Sequence, residues 1–97
     1  MAKYFKFTKN QVHVKTYGTN NRNALEIIDE SEGYPETVAI ASVNLPQEAL
    51  AKDEIFIKNW SENEGVLTDL ISLGIVSAPI KEVQTGFCIA YKCKLLI

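Results

Sequence analysis

The stretch "IKNWSENEGVL" (residues 57–67) decides how this chain folds, because the spacing of its apolar residues changes halfway along. Up to Trp60 the apolar residues alternate, which is the two-residue period of a β-strand. From Ser61 onward they recur every three or four positions, which is the period of an α-helix. The sequence therefore predicts that a strand passes directly into a helix here.

A capping box is predicted at the start of this helix. Ser61 and Glu64 have the S-x-x-E spacing, in which each side chain accepts a hydrogen bond from the backbone N–H of the other residue. Such a box satisfies backbone donors that the first helical turn otherwise leaves unpaired.

The rest of the helix is predicted from the apolar positions and a glycine. On a helical wheel one side holds five apolar residues: Val66, Leu67, Leu70, Ile71 and Leu73. Gly74 follows the last of them and suits the left-handed position that ends a helix in a Schellman motif. We therefore expect one amphipathic helix over about 62–73 with its apolar side on a sheet.

Seven short stretches have the composition and alternation of β-strands: residues 3–8, 12–17, 24–29, 37–43, 54–60, 78–84 and 87–97. In the second, Val12 and Val14 are expected to point inward and Tyr17 outward. The stretch 37–43 is apolar on both faces, which predicts an interior strand, whereas a proline at the start of 78–84 predicts an edge strand.

The last stretch predicts a long strand that buries one face, formed by alternate residues from Phe87 to Ile97. Together these patterns predict an α+β fold, a mostly antiparallel sheet of about six to seven strands with the single helix (about 62–73) packed on one face. The order of the strands does not follow from the sequence.

Length and composition predict a single domain (residues 1–97), since 97 residues bury enough surface for one modest core. Hydrophobic residues make up 46% and charged residues 23% of the chain, as in ordinary globular proteins. No apolar run reaches the roughly 18 residues of a membrane helix, and no signal-type segment is present. We expect a soluble cytoplasmic protein with reduced Cys88 and Cys93 and no membrane partner.

The sequence contains no recognisable catalytic or metal-binding pattern. His13 is the only histidine and falls on the polar side of a predicted strand. The acidic run "DESEGYPE" (29–36) lacks the spacing of a calcium loop, and the five glycines form no phosphate-binding loop. We therefore predict no catalytic residues, no metal, no cofactor and no enzymatic activity.

Charge suggests a surface for an unidentified protein partner. Residues 23–69 carry eleven acidic residues against two lysines. Carboxylates on one side of the fold would suit a basic groove, such as that of a nuclease, by imitating nucleic acid. The candidate residues of this surface are Asp29, Glu30, Glu32, Glu62, Asp69 and Ser72. The leading prediction is a non-enzymatic protein-binding module, although the same charges also fit two solvated surfaces that attract each other.

Two alternatives stay open. A basic and aromatic N-terminal hairpin would let Tyr4, Lys6, Lys15 and Tyr17 bind single-stranded nucleic acid, by charge along the backbone and stacking on the bases. An exposed edge on the long last strand would let two copies pair as a homodimer.

Two segments, "KNWSENEGVLTDLISLGIVS" (58–77) and "TGF" (85–87), together with the terminal apolar strand, resemble the DUF4313 family. That family consists of small uncharacterised proteins of phages, plasmids and integrative elements in Gram-positive bacteria. The likeness extends loosely to residues 24–39. It implies a cytoplasmic accessory protein of a mobile element, and it supplies no reaction, ligand or catalytic residue.

Overall fold

The computed structural model describes residues 8–30, 32–60 and 63–97. Within these ranges the chain forms six strands in two antiparallel sheets and one α-helix, which confirms the predicted α+β class. The predicted strand over residues 3–8 falls almost wholly outside the described residues. A short 3-10 helix, Lys9–Gln11, leads into the first strand.

The first sheet has the order β1-β2-β3, with β1 Val12–Thr16, β2 Asn23–Asp29 and β3 Glu36–Ile40. β2 is the central strand and buries residues on both of its faces. In β1, Val12 is buried but Val14 is exposed, so the prediction that both point into the core is wrong for Val14. β1 is the outer strand of the described sheet, and the core covers only its first residue.

The prediction that residues 37–43 form an interior strand is wrong, because β3 lies at an edge of the described sheet and its side chains are mostly exposed. The register passes from Ile27↔Ala39 to Ile28↔Thr37, which leaves Val38 as an extra residue on β3. Such a β-bulge is typical of edge strands and breaks up the ladder.

The second sheet has the order β4-β6-β5, with β4 Glu54–Lys58, β5 Lys81–Thr85 and β6 Cys88–Lys94. The prediction that the strand after the proline lies at an edge is confirmed within the described part of the chain, where β5 pairs only with β6. β6 is central and pairs with a strand on each side, so the prediction of an open edge on the last strand is wrong.

β6 also differs from the prediction in its buried faces, because a central strand is covered on both sides. Cys93 packs into the main core, whereas Ala90 packs on the opposite face against Phe56. The two ends of the predicted buried face, Phe87 and Ile97, are exposed.

Residues 41–43 join the two sheets. Ala41 donates its N–H to the Leu25 carbonyl at 2.9 Å and accepts the N–H of Lys58 at 2.9 Å. Val43 then donates to the Phe56 carbonyl at 3.0 Å. Residues 41–43 therefore hydrogen-bond to strands of both sheets, and the two sheets enclose a common core. The prediction of a single sheet is wrong in this respect.

The helix α1 runs over Val66–Ser72, so the predicted start at residue 62 is wrong. Gly65 has a φ of 93°, a left-handed conformation that an α-helix does not continue through. The Oδ1 atom of Asn59 accepts the N–H of Gly65 at 3.0 Å and that of Leu67 at 3.1 Å. Asn59 thus caps the first turn from the end of β4, while the predicted box at Ser61 involves a residue outside the described ones.

The predicted Schellman motif at the other end of α1 is confirmed. Gly74 has a φ of 73°, and its N–H donates to the Ile71 carbonyl at 3.0 Å. The N–H of Ile75 donates to the Leu70 carbonyl, also at 3.0 Å. These are the two hydrogen bonds that define the motif, and Ile75 is fully buried behind them.

Two apolar clusters fill the interior. The main core lies between both sheets and α1, which contributes Val66, Leu67 and Leu70. Ile71, placed by the helical wheel on the same apolar side, is 36% exposed. The smaller cluster covers the other face of the second sheet: Leu45, Phe56, Val83 and Ala90. No helix among the described residues has the length and apolar composition needed to cross a bilayer.

Candidate functional site

The β5–β6 hairpin projects beyond the rest of the second sheet. A two-residue turn, Gly86–Phe87, joins Thr85 to Cys88. Gly86 has a φ of 66°, which suits glycine in such a turn. The pairing of β6 with β4 stops at Ala90, so residues 84–89 extend past the end of β4. We call this segment, residues 84–89, the hairpin tip.

The most exposed large apolar side chain among the described residues is Phe87, with a relative exposure of 106%. Ile89, also in the hairpin tip, is 39% exposed. Burying a phenylalanine side chain is worth about 1.5–3 kcal/mol, which this fold does not gain at Phe87. Aromatic side chains on projecting surfaces commonly serve as anchors in protein–protein contacts.

The base of the same hairpin is positively charged. Lys81 and Lys92 lie directly opposite each other on neighbouring strands, an arrangement that is destabilising for like charges. The ammonium of Lys92 lies 5.9 Å from the centroid of the Phe56 ring. Within the described ranges neither lysine forms an ion pair, whereas Lys94 lies 3.6 Å from a carboxylate oxygen of Asp53. A partner with acidic groups around an apolar pocket would suit this hairpin.

The residues of the predicted acidic surface are divided between two elements. Asp29, at the end of β2, lies opposite Glu36 of β3, and the loop between these strands carries the exposed Glu30 and Glu32. Asp69 and Ser72 lie on α1, and Glu62 is outside the described residues. The structure thus brings together only the part of the surface that surrounds the β2–β3 loop.

The predicted nucleic-acid surface is described only in part, since Tyr4 and Lys6 lie outside the described residues. Lys15 forms an ion pair with Glu26, with Nζ and Oε1 2.8 Å apart. The Tyr17 hydroxyl lies 2.7 Å from Ser42 Oγ, so the prediction that this ring points outward is wrong. Burial raises the pKa of Tyr17, although the hydrogen bond to Ser42 acts in the opposite direction.

An open cavity of about 440 Å³ lies between residues 20–23 and 50–52. Two of its polar side chains, Arg22 and Asn23, are already bound to backbone carbonyls of the segment before and within β4. Asn23 donates from Nδ2 to Lys52 at 2.8 Å, and Arg22 donates from Nη1 to Leu45 at 2.8 Å. These bonds hold the β1–β2 turn against the loop that precedes β4, which gives the side chains a structural role.

The residues with potential for nucleophilic or metal chemistry are dispersed. His13 lies half-buried on β1 opposite Glu26, whereas both cysteines lie on β6. Across residues 8–30, 32–60 and 63–97, no three histidine, cysteine or acidic side chains converge to hold a metal ion. Burial raises the pKa of Cys93 from 9.0 to about 11, which keeps its thiol protonated at neutral pH.

We expect the ionisation of Cys93 to destabilise the fold at alkaline pH. The unfolded thiol ionises near its ordinary pKa of 9.0 and the folded thiol only near about 11. The neutral thiol therefore makes its full contribution to the free energy of unfolding below pH 9.0. This contribution, about 2–3 kcal/mol in total, is lost as the pH rises through about 11. Urea denaturation under reducing conditions, from about pH 8 to about pH 11, measures this loss.

Cys93→Val is the matched control, because valine fills a similar apolar volume and does not ionise. The variant is expected to lose less stability over the same pH range. Parallel losses in wild type and variant would mean that ionisation of Cys93 is not linked to unfolding.

Phe87 is the candidate functional residue that sequence reasoning missed, because alternation was extended back to the first residue of the apolar run. The useful signal is Gly86, since a residue directly after a glycine at a hairpin turn belongs to the turn itself. No family model, curated protein or solved structure matches this chain.

Proposed function

We propose that this chain is a non-enzymatic module that binds another protein through the hairpin tip. One observation carries the proposal, namely that Phe87 is fully exposed at the end of a projecting hairpin. The hydrogen-bonded strands below it hold the backbone of the turn in place, so little backbone entropy is lost when a partner covers the ring. In keeping with the family resemblance, we place the protein in the cytoplasm as an accessory protein of a mobile element.

The charge of the hairpin narrows the choice of partner. Lys81 and Lys92, both without an ion pair among the described residues, would lie at the edge of a contact centred on Phe87. Charges at the rim of an interface chiefly favour complementary partners and speed association. The proposed partner therefore has an apolar pocket with acidic groups around it.

The acidic β2–β3 loop is a second candidate surface for the same function. Its exposed acidic residues, Glu30, Glu32 and Glu36, flank Tyr34 in the sequence, and Tyr34 is 60% exposed. This surface would suit a basic partner, such as the groove of a nucleic-acid-binding protein. The two surfaces carry opposite charge and so predict different partners.

Photo-crosslinking from two aromatic positions separates these surfaces. A benzophenone analogue of phenylalanine replaces Phe87 in one protein and Tyr34 in another, since both side chains are aromatic and exposed. In host-cell lysate, position 87 is expected to label a discrete protein. Excess unlabelled wild type should suppress that labelling, and unlabelled Phe87→Ala should suppress it poorly.

Several results would contradict the proposal. Labelling from position 34 alone would favour the acidic loop over the hairpin tip. Equal suppression by wild type and Phe87→Ala would mean that the ring is not the anchor. The control is the unfolding transition of Phe87→Ala, which should match that of wild type if the fold is intact. We expect this match because, among the described residues, the Phe87 side chain makes no internal contacts that the substitution would remove.

A further inference from the structure

We infer that the hairpin's outer strand, β5, pairs with the same strand of a second copy around a twofold axis at Val83. The inference goes beyond the proposed function, because it concerns the backbone edge of β5 and not the ring of Phe87. β6 is the only described strand that pairs with β5, so the outer edge of β5 is open within residues 8–30, 32–60 and 63–97.

The turn determines which backbone groups face this open edge. In a hairpin with a two-residue turn the closing pair, here Thr85 and Cys88, exchanges hydrogen bonds. Bonded and non-bonded pairs then alternate along the strands, so Val83 and Lys81 also bond to β6. The N–H and C=O groups of Glu82 and Gln84 consequently point outward.

These outward-facing residues fix the register of a pair of β5 strands. A twofold axis at Val83 places Glu82 of one copy opposite Gln84 of the other, and both pairs can exchange their backbone hydrogen bonds. An axis at Glu82 would place two carboxylates opposite each other, which is destabilising. An axis at Gln84 would place Glu82 opposite Gly86, which lies in the turn and not in the strand.

No like charges lie opposite each other in the chosen register. Lys81 of each copy lies opposite Thr85 of the other, and Val83 lies beside its own symmetry mate. Lysine and glutamate often protect edge strands from pairing. In this register neither residue meets a like charge, so they do not oppose the association.

The paired segment is limited by the length of β5. Thr85 is the last residue of the strand before the turn, so the ladder spans residues 81–85 of each copy. The contact is short, so we expect a reversible dimer of the weak class and not a permanent one.

Sedimentation equilibrium of the purified full chain tests the inference. The weight-average mass is expected to rise from 10.8 kDa toward twice that value as the concentration increases. Gln84→Pro should keep the protein monomeric, because proline removes an outward-facing N–H that β6 does not use. Its unfolding transition is compared with that of wild type to show that the hairpin is retained.

Two charge variants at one position test the register itself. Gln84→Lys places an ammonium opposite Glu82 of the second copy, whereas Gln84→Glu places a carboxylate there. Both lose the same hydrogen bond from the Gln84 amide to the Gly86 carbonyl, so they are matched. The dissociation constant is expected to fall by about 2- to 30-fold with lysine and to rise by about 2- to 30-fold with glutamate.

A mass of 10.8 kDa at every concentration, for both wild type and Gln84→Lys, would overturn the inference. So would a dimer that responds equally to lysine and glutamate at position 84, since pairing would then not follow this register. These failures differ from a failure of the proposed function. A monomer whose position 87 labels a different protein overturns the dimer and leaves the hairpin as a protein-binding surface.

Discussion

Replacing Leu70 by alanine is expected to lower the free energy of unfolding by about 3–5 kcal/mol. Leu70 is 0% exposed and belongs to the main core between α1 and the two sheets. Truncation removes buried contacts and leaves a cavity that the surrounding strands fill only in part. A domain of this size has a total stability of about 5–15 kcal/mol, so the loss is a large share of it.

The neighbouring substitution Ile71→Ala is the matched control. Ile71 is an aliphatic residue on the same helix with 36% exposure, so its loss is expected to be below about 1 kcal/mol. Urea denaturation of both variants measures the difference. The backbone carbonyls of both residues, which accept the Schellman hydrogen bonds, are unchanged by the substitutions. Equal losses would mean that both side chains lie in the core, as the helical wheel alone predicts.

Replacing Ser42 by alanine is expected to lower the free energy of unfolding by about 2–4 kcal/mol. Ser42 is 2% exposed, and its Oγ atom accepts the N–H of the fully buried Leu25 at 3.1 Å. The same Oγ atom forms the 2.7 Å hydrogen bond with the Tyr17 hydroxyl. Without the hydroxyl, a buried donor and a half-buried phenol both lose their partner, and unsatisfied buried groups carry a large desolvation cost.

Ser77→Ala is the control for the loss of a serine hydroxyl near the surface. Ser77 Oγ also accepts a backbone N–H, that of Lys94 at 2.9 Å, but at an exposed site where water can replace it. The expected loss there is below about 1 kcal/mol. In the Ser42→Ala background, a further Tyr17→Phe change should cost less than in wild type, because the phenol has already lost its partner. Additive losses in this double-mutant cycle would show that the two hydroxyls are not coupled.

Local patterns predicted the elements of this fold well. Alternation found the strands of both sheets, and the apolar spacing with Gly74 found the helix and its Schellman end. These features depend on residues within one turn or one hairpin, so a short window of sequence contains the interactions that produce them. The edge position of β5 likewise followed from a nearby proline.

The candidate site was predicted much less well. The acidic residues were chosen by composition, and the structure divides them between a loop and the helix. Phe87 was assigned to a buried face, yet the hairpin extends past β4 and nothing described covers the ring. The distance by which a hairpin extends past a neighbouring strand depends on segments far apart in the sequence. Apolar periodicity carries no information about such long-range relations.

Local patterns established most of the strands, the α+β class and the end of the helix, because backbone geometry and apolar period are local properties. The burial of apolar residues depended instead on long-range packing, as Leu70 and Ile71 show on one helix. Long-range contacts also made Asn59 the cap of α1 and turned Tyr17 toward Ser42. Burial and hydrogen bonding depend on which segments meet in space, and here residues 41–43 set this by joining the two sheets.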